Sequence, residues 1–101
     1  MRLPFEAEAV TEFETAAAWY EGERLGYGAL FASEVARAVG RAASFPHSGP
    51  RVPRTDPEHD VRRFVVRRFP HVVITAIVSG QRVVVPVADG RRRPSYWRSR
   101  L

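Results

Sequence analysis

The sequence predicts an α+β domain in which a helical hairpin packs on one face of a small antiparallel sheet, in the order β-α-α-β-β-β. Two patterns lead to this fold class. Apolar residues recur at spacings of three and four in the first half of the chain, whereas the last third is rich in Val, Ile and Phe between turn residues. At 101 residues the chain has room for one domain. We therefore expect a single domain over residues 1–101.

The first half of the chain predicts a short strand and two amphipathic helices. The strand should cover Met1 to Phe5, and the first helix should run from Glu6 to Arg24. Its apolar stripe is formed by Val10, Phe13, Ala17 and Tyr20. Two glycines then indicate a turn, and a second helix follows roughly over Ala29 to Ser44, ended by Pro46. Because the turn is short, the two helices should form an antiparallel hairpin.

The second half begins with a loop and continues as β structure. Residues 46–60 contain four of the eight prolines and few apolar residues, which predicts an exposed loop. Strands are predicted over 61–69, 72–79 and 82–88, and Gly80 suits a two-residue hairpin turn between the last two. Pro86 has no amide hydrogen to donate to a neighbouring strand. The last strand should therefore lie at the sheet edge, contain a bulge, or turn that position outward.

Charge is divided unevenly between the two halves of the chain. Residues 1–50 hold four Arg against seven Glu, a net charge of −3, and residues 51–101 hold twelve Arg against four acidic residues, a net charge of +8. The halves add up to the net charge of +5 for the whole chain. Such asymmetry predicts one strongly basic side that binds a polyanion or an acidic protein segment.

The composition also excludes several kinds of chemistry. Without cysteine there are no disulfides, thiolate metal sites or cysteine nucleophiles, and without lysine there is no Schiff base and no P-loop lysine. His47 and His59 lie near acidic residues but match no known ligand spacing, so we expect no metal and no cofactor. No apolar run approaches the roughly 18 residues that cross a bilayer, and the N-terminus does not resemble a signal peptide. We therefore expect a cytoplasmic protein without a membrane partner.

Four stretches of the chain carry a likeness to one protein family. They are ETAAAWYE at 14–21, LGYGALFASEV at 25–35, VRRFVVRRFP at 61–70 and VPVADGRRRPSYW at 85–97. They resemble, in order, an Ala-rich helix ending in WYE, a turn and second helix of the form LGxxFxxEV, an arginine-rich strand closing in FP, and an RRxPxYW ending. In these motifs the chain resembles the RelE/ParE toxins of bacterial type II toxin–antitoxin systems.

The resemblance implies a partner but not a single target. Family toxins form a hetero-oligomer with a cognate antitoxin that wraps the toxin and neutralises its basic face. ParE-like members poison DNA gyrase, whereas RelE-like members cut mRNA in the ribosomal decoding site without a metal. Asp89 stands where many relatives have a histidine, Val72 stands where RelE-like nucleases often have an arginine, and the chain has no lysine. The match is therefore closer to the ParE-like proteins.

These departures favour a growth-inhibiting toxin that acts on DNA gyrase and is not an enzyme. Two alternatives remain open. One is a ribosome-dependent mRNA endonuclease of the RelE type, and the other is an inactive homologue that only binds its partner.

A nuclease would need a base for the 2′-hydroxyl, cations around the phosphate and an acid for the leaving oxygen. Arg91, Arg92 and Arg93 are candidates for the phosphate clamp, because guanidinium groups pair bidentately with phosphate. Tyr96 is a candidate to supply a proton or to stack on a base. His71 falls in a predicted turn and is expected to be exposed. It qualifies as a base only if it lies near the three arginines.

Other candidates concern binding rather than catalysis. The residues expected to bind the target or the antitoxin are Arg63, Arg67, Arg91, Arg92, Arg93 and Trp97. Alternation along a strand should project Arg63 and Arg67 from one face, away from the helices, as a basic stripe. An ordinary solvated sheet face is the alternative interpretation. Trp19 and Tyr20 are expected to be packing residues rather than ligands, because aromatic side chains bury the most area. The same interpretation applies to Trp97 as the alternative to a binding role.

Overall fold

The computed structural model describes residues 3–92 and 96–101 and contains two helices followed by a three-stranded antiparallel sheet. The helices are α1, Ala7–Glu23, and α2, Tyr27–Ser44. The strands are β1, Arg62–Val66, β2, His71–Val78, and β3, Gln81–Asp89, and they lie side by side in chain order. Short 3₁₀ turns cover Pro57–His59 and Arg98–Arg100. The predicted α+β class, with a helical hairpin on an antiparallel sheet, is confirmed.

The helical hairpin depends on two glycines and one glutamate. Gly26 adopts φ 86°, a left-handed conformation that glycine enters without steric cost. The carboxylate of Glu21 accepts hydrogen bonds from the backbone amides of Gly26, at 3.1 and 3.0 Å, and of Gly28, at 2.9 Å. A Cβ atom on Gly28 would lie 2.7 Å from the carbonyl oxygen of Ala17. The glycines therefore allow both the tight turn and the close approach of the two helices.

The strand predicted over Met1 to Phe5 is wrong, because the described residues before α1 form an isolated bridge and not a strand. Met1 lies outside the described residues, and the segment from Leu3 onward forms one parallel bridge between Phe5 and Val84. Two backbone hydrogen bonds hold it, from the amide of Glu6 to the Val84 carbonyl at 2.9 Å and from the Val84 amide to the Pro4 carbonyl at 2.8 Å. The segment ends quickly because α1 begins at Ala7.

The sheet is bulged where the sequence places its only strand proline. Val73 pairs with Val87 and Thr75 pairs with Val84, so two residues of β3 lie opposite one residue of β2. Pro86 is in this bulge, and β3 is an edge strand of the three-stranded sheet. Both features spare the proline a hydrogen bond that it cannot donate. The predictions of an edge position and of a bulge are both confirmed.

Both faces of the sheet are buried, each by a different part of the chain. The helical hairpin covers one face around an aromatic cluster, in which the Tyr20 and Phe69 rings lie 4.8 Å apart and the Phe31 and Phe69 rings 5.1 Å apart. The other face carries a second apolar cluster that packs against Trp97 of the C-terminal segment, 96–101. The sequence predicted a solvent-exposed basic face on this side of the sheet. This prediction is wrong for the middle of the sheet, because Trp97 and the other residues of the second cluster cover it.

The proline-rich loop is anchored to the sheet through Asp60. Its carboxylate accepts hydrogen bonds from Arg62, at 2.9 Å, and from Arg82, at 2.5 Å. Burial alone would raise the pKa of Asp60, but the hydrogen bonds from the two arginines hold it below the ordinary value.

Within the described residues, no helix is long and apolar enough to cross a membrane.

Candidate functional site

A groove of about 360 Å³ opens between α1 and the C-terminal end of β3, and we call it the α1–β3 groove. Its ionisable and aromatic lining residues are Glu12, Trp19, Tyr20, His71, Asp89, Arg91, Arg92 and Tyr96. Helix α1 supplies one wall, and the ends of two neighbouring strands with the segment after β3 supply the other. The groove therefore brings together residues from three distant parts of the sequence.

His71 lies in the wall of this groove, directly across the sheet from Asp89. It is the first residue of β2 and only 7% of its surface is exposed, so the expectation of an exposed turn residue is wrong. Burial lowers the pKa of His71, Asp89 raises it and Arg91 lowers it further, with a net decrease. Its Nδ1 atom lies 3.4 Å from the hydroxyl of Tyr20. His71 is therefore a neutral imidazole at pH 7, and it does lie near the arginine run.

Asp89 holds the guanidinium of Arg91 in place. The carboxylate accepts hydrogen bonds from the Arg91 backbone amide at 2.9 Å, from Nε at 3.1 Å and from Nη2 at 2.9 Å. Chiefly because of these bonds, the pKa of Asp89 falls to about 2. The residue before Gly90 is thus an acid that orients a cation.

Tyr96 is fixed between an arginine and a glutamate. The Arg92 guanidinium lies 4.6 Å from the centre of the Tyr96 ring. The Tyr96 hydroxyl donates a hydrogen bond of 2.9 Å to Glu12, and Arg100 donates two more to the same carboxylate, at 2.9 and 3.1 Å. Burial and the bond to Glu12 raise the pKa of Tyr96 to about 12. Tyr96 therefore keeps its proton throughout the neutral range.

The two aromatic residues at the end of α1 have different environments. Tyr20 is buried among Phe31 and Phe69, as predicted for a packing residue. Trp19 is 57% exposed and lines the groove, so its prediction as a packing residue is wrong. Neighbouring helical residues point about 100° apart, so only one of the pair can face the core. Trp19 is outside the apolar stripe that includes Tyr20, a signal already present in the sequence.

The other predicted binding residues do not lie in the groove. Arg63 is exposed on β1, but Arg67 lies in the turn after Val66, because β1 ends earlier than predicted. Trp97 is 2% exposed and packs in the second apolar cluster, which makes it a structural residue rather than an exposed contact. Arg93 lies outside the described residues.

One residue of the site, Glu12, was missed by sequence reasoning. Glu12 accepts hydrogen bonds from Tyr96, from Arg100 and, at 3.0 Å, from the backbone amide of Val87. In the sequence Glu12 is one of several acidic residues on α1, and nothing local distinguishes it. Its partners lie more than 70 residues away along the chain, so only the folded structure identifies them.

The described residues contain no group of three or more His, Asp or Glu side chains that could hold a metal ion.

Comparison with known proteins adds no further assignment. A scan against protein-family models finds no match, and a search of the curated proteins finds none either.

Proposed function

We propose that this protein is the toxin of a bacterial type II toxin–antitoxin system and that it cleaves mRNA in the α1–β3 groove. The proposal combines the motif resemblance with the chemistry of the groove. In it, the protein acts in the cytoplasm on ribosome-bound mRNA and is neutralised by a cognate antitoxin. The sequence alone favoured DNA gyrase as the target. The residues of the groove favour the RNA-cleaving alternative instead.

The position of His71 is the observation that carries the proposal. From the sequence, His71 qualifies as a base only if it lies near the arginines that follow Gly90. In the structure His71 pairs with Asp89, two residues before Arg91, and this pairing brings the imidazole close to Arg91. A neutral imidazole accepts a proton at pH 7, as a general base must. Arg91 and Arg92 line the same groove and are exposed, so a phosphate can reach both. The exposed indole of Trp19 offers a surface on which a base can stack.

The cleavage step uses these groups as follows. Nε2 of His71 takes the proton of the 2′-hydroxyl, while the Nδ1–H group keeps its proton and donates a hydrogen bond to the hydroxyl oxygen of Tyr20. The 2′ oxygen bonds to phosphorus, the bond between phosphorus and the 5′ oxygen breaks, and Arg91 and Arg92 stabilise the developing charge. The leaving oxygen takes a proton from Tyr96. Afterwards His71 releases the proton that it took to solvent, and Tyr96 takes up a proton from solvent, so both groups return to their starting states. The products are a 2′,3′-cyclic phosphate and a free 5′-hydroxyl.

Gyrase inhibition is the second candidate, and one observation favours it. Two of the polar groups in the groove are already engaged within the protein, because Arg91 is paired with Asp89 and Tyr96 with Glu12. A toxin that acts only by binding needs no free acid or base. The closer likeness to ParE-like motifs points in the same direction.

The deciding experiment is pulse labelling of protein synthesis, minutes after the chain is induced in cells that lack its antitoxin. A collapse of synthesis within those minutes, with new 5′-hydroxyl ends in mRNA, is the expected result. Continued synthesis while growth stops and DNA breaks accumulate would overturn the nuclease proposal in favour of gyrase. Unchanged growth would contradict both and leave a homologue that only binds its partner.

A further inference from the structure

A second cationic surface lies away from the groove, at the outer edge of β1. It is a depression of about 290 Å³, which we call the Arg41 pocket. Three arginines line it: Arg41 from α2, Arg63 from β1 and Arg67 from the turn that follows. The remaining lining residues are Ser48, Gly49, Pro50, Phe64 and Val65. None of the residues that line the pocket is acidic, so its charge is uncompensated at the site.

The arginines of the pocket differ in how they are held. Arg41 donates a hydrogen bond of 2.6 Å to the backbone carbonyl of Val65, which fixes its guanidinium at the sheet edge. In the described part of the chain, the side chains of Arg63 and Arg67 have no hydrogen bond or ion pair, although both are exposed and line the same depression. A fixed guanidinium beside two unengaged ones is an arrangement that binds a carboxylate or phosphate.

Apolar residues around the pocket distinguish between the possible partners. Val65 lies between Arg63 and Arg67 in the sequence, lines the pocket and is 55% exposed. Phe45 does not line the pocket, but its carbonyl accepts hydrogen bonds from Ser48 of the lining, and the Phe45 side chain is 67% exposed. Large exposed apolar side chains bind protein better than they bind a phosphate backbone, which is recognised by charge. The combination therefore favours an acidic polypeptide over a nucleic acid.

We infer that the Arg41 pocket is a docking site for an acidic segment of a partner protein, separate from the α1–β3 groove. The acidic side chains of the segment pair with Arg63 and Arg67, and an apolar side chain between them covers Val65. Residues two apart in an extended segment lie on the same side. The matching pattern is therefore acidic, any residue, apolar, any residue, acidic. The inference requires neither RNA nor catalysis, so a peptide-binding test can fail or succeed independently of the cleavage assay that tests the proposed function.

The test is an NMR titration of the purified full chain with a peptide containing Glu-Ser-Val-Ser-Glu. The Nε–Hε resonances of Arg41, Arg63 and Arg67 should shift, and those of Arg24 and Arg51 should not. The same titration with Gln-Ser-Val-Ser-Gln should give at least about tenfold weaker binding, as expected when charge-assisted bonds are lost. The Glu peptide should also bind more weakly as salt rises.

Matched variants complete the test. Arg67→Gln should raise the Kd of the Glu peptide about tenfold, whereas Arg24→Gln, which removes the same charge at the helical turn, should change it less than about twofold. Equal effects of the two variants, equal affinity for the two peptides, or absence of peptide binding to the native chain would each overturn the inference. A single-stranded RNA provides the competing test. If the RNA displaces the peptide, and if Arg67→Gln raises the Kd of the RNA more than it raises the Kd of the peptide, the pocket is a nucleic-acid site instead.

Discussion

The α1–β3 groove and the Arg41 pocket are both lined by arginines, but they differ in what surrounds those charges. In the groove, Asp89 holds Arg91, and Glu12 holds both Arg100 and the hydroxyl of Tyr96. In the Arg41 pocket no acidic residue is among those that line it. The same residue type therefore has two environments in one small domain.

The fold therefore uses its arginines in two ways. Internal acids fix the orientation of the groups that line the groove, which suits a site where the geometry must be set before a substrate arrives. Without internal acids, the pocket retains its full positive charge for a partner that brings carboxylates. Variants that alter one site and leave the other intact test whether the two sites use their charges in these different ways.

The largest expected effect comes from removing the base in the groove. His71→Gln should lower the rate of mRNA cleavage by about a hundredfold or more, because Gln cannot take the 2′-hydroxyl proton. Ribosome binding should stay unchanged. The measurement is primer extension on translating ribosomes, with binding followed by co-sedimentation. His47→Gln, an exposed histidine outside the groove, is the matched control. Equal cutting by His71→Gln and the native chain would remove His71 from the mechanism.

The next effect concerns the proton on Tyr96. Tyr96→Phe should slow cleavage by about tenfold or more, as the loss of a general acid implies, and should leave ribosome binding intact. Because the pKa of Tyr96 is about 12, the native rate should show no ionisation of this group near neutral pH. The pH–rate profile and the single-turnover rate provide the measurement. Tyr27→Phe, outside the residues that line the groove, is the control. An unchanged rate would show that another group supplies the proton.

The pairing of Asp89 with Arg91 should have a smaller effect, on rate and on stability together. Asp89→Asn should slow cleavage several-fold by releasing Arg91, and should lower the free energy of unfolding by about 1 kcal/mol. The folded-state pKa of Asp89 is about 2, below its ordinary value of 3.8. Its contribution is therefore complete above the ordinary value and is lost as the pH falls to about 2.

Urea unfolding at several pH values provides the measurement for this pair. The acid-dependent loss of stability should be smaller in Asp89→Asn than in the native chain. Glu58→Gln, which removes an exposed carboxylate in the proline-rich loop, should behave like the native chain. Identical acid curves for Asp89→Asn and the native protein would show that the ion pair contributes nothing measurable.

The smallest expected effect is the pH dependence that His71 itself gives to stability. Its pKa in the folded protein is lowered from 6.5, so the unfolded chain binds a proton more readily than the folded one. The free energy of unfolding should therefore decrease as the pH falls below about 6.5, and it should continue to decrease until the folded-state pKa is reached. His71→Gln should remove this decrease. A native chain as stable at pH 5 as at pH 7 would contradict it.

Much of the fold could be predicted from local patterns. The apolar spacing in α2 predicted a helix that buries Phe31 and Val35, and both are buried in the core. The missing amide hydrogen of Pro86 predicted an edge or bulged strand, and β3 is both. The strand predicted over 61–69 ended too late, because Pro70 is the first turn residue that the sequence offers, whereas the chain already turns from Arg67 onward.

The candidate site could be predicted only in part. Arg91, Arg92 and Tyr96 were proposed together from one motif, and all three line the same groove. His71 was expected to be exposed, because its turn-like surroundings in the sequence do not reveal the pairing of its strand with β3. Trp97 was included as a binding residue because the sequence does not show that the C-terminal segment packs on the second face of the sheet.

By itself the sequence determined the α+β class, the helical hairpin with its glycine turn, an irregular or edge position for Pro86 and the basic character of the second half. These features depend on period, backbone freedom and composition, which are properties of neighbouring residues. Only the tertiary structure decided that His71 lies beside Arg91, that Glu12 holds Tyr96, and that Arg41 joins Arg63 and Arg67. Strand register and helix packing set those contacts between residues far apart in the chain, and no local pattern encodes them.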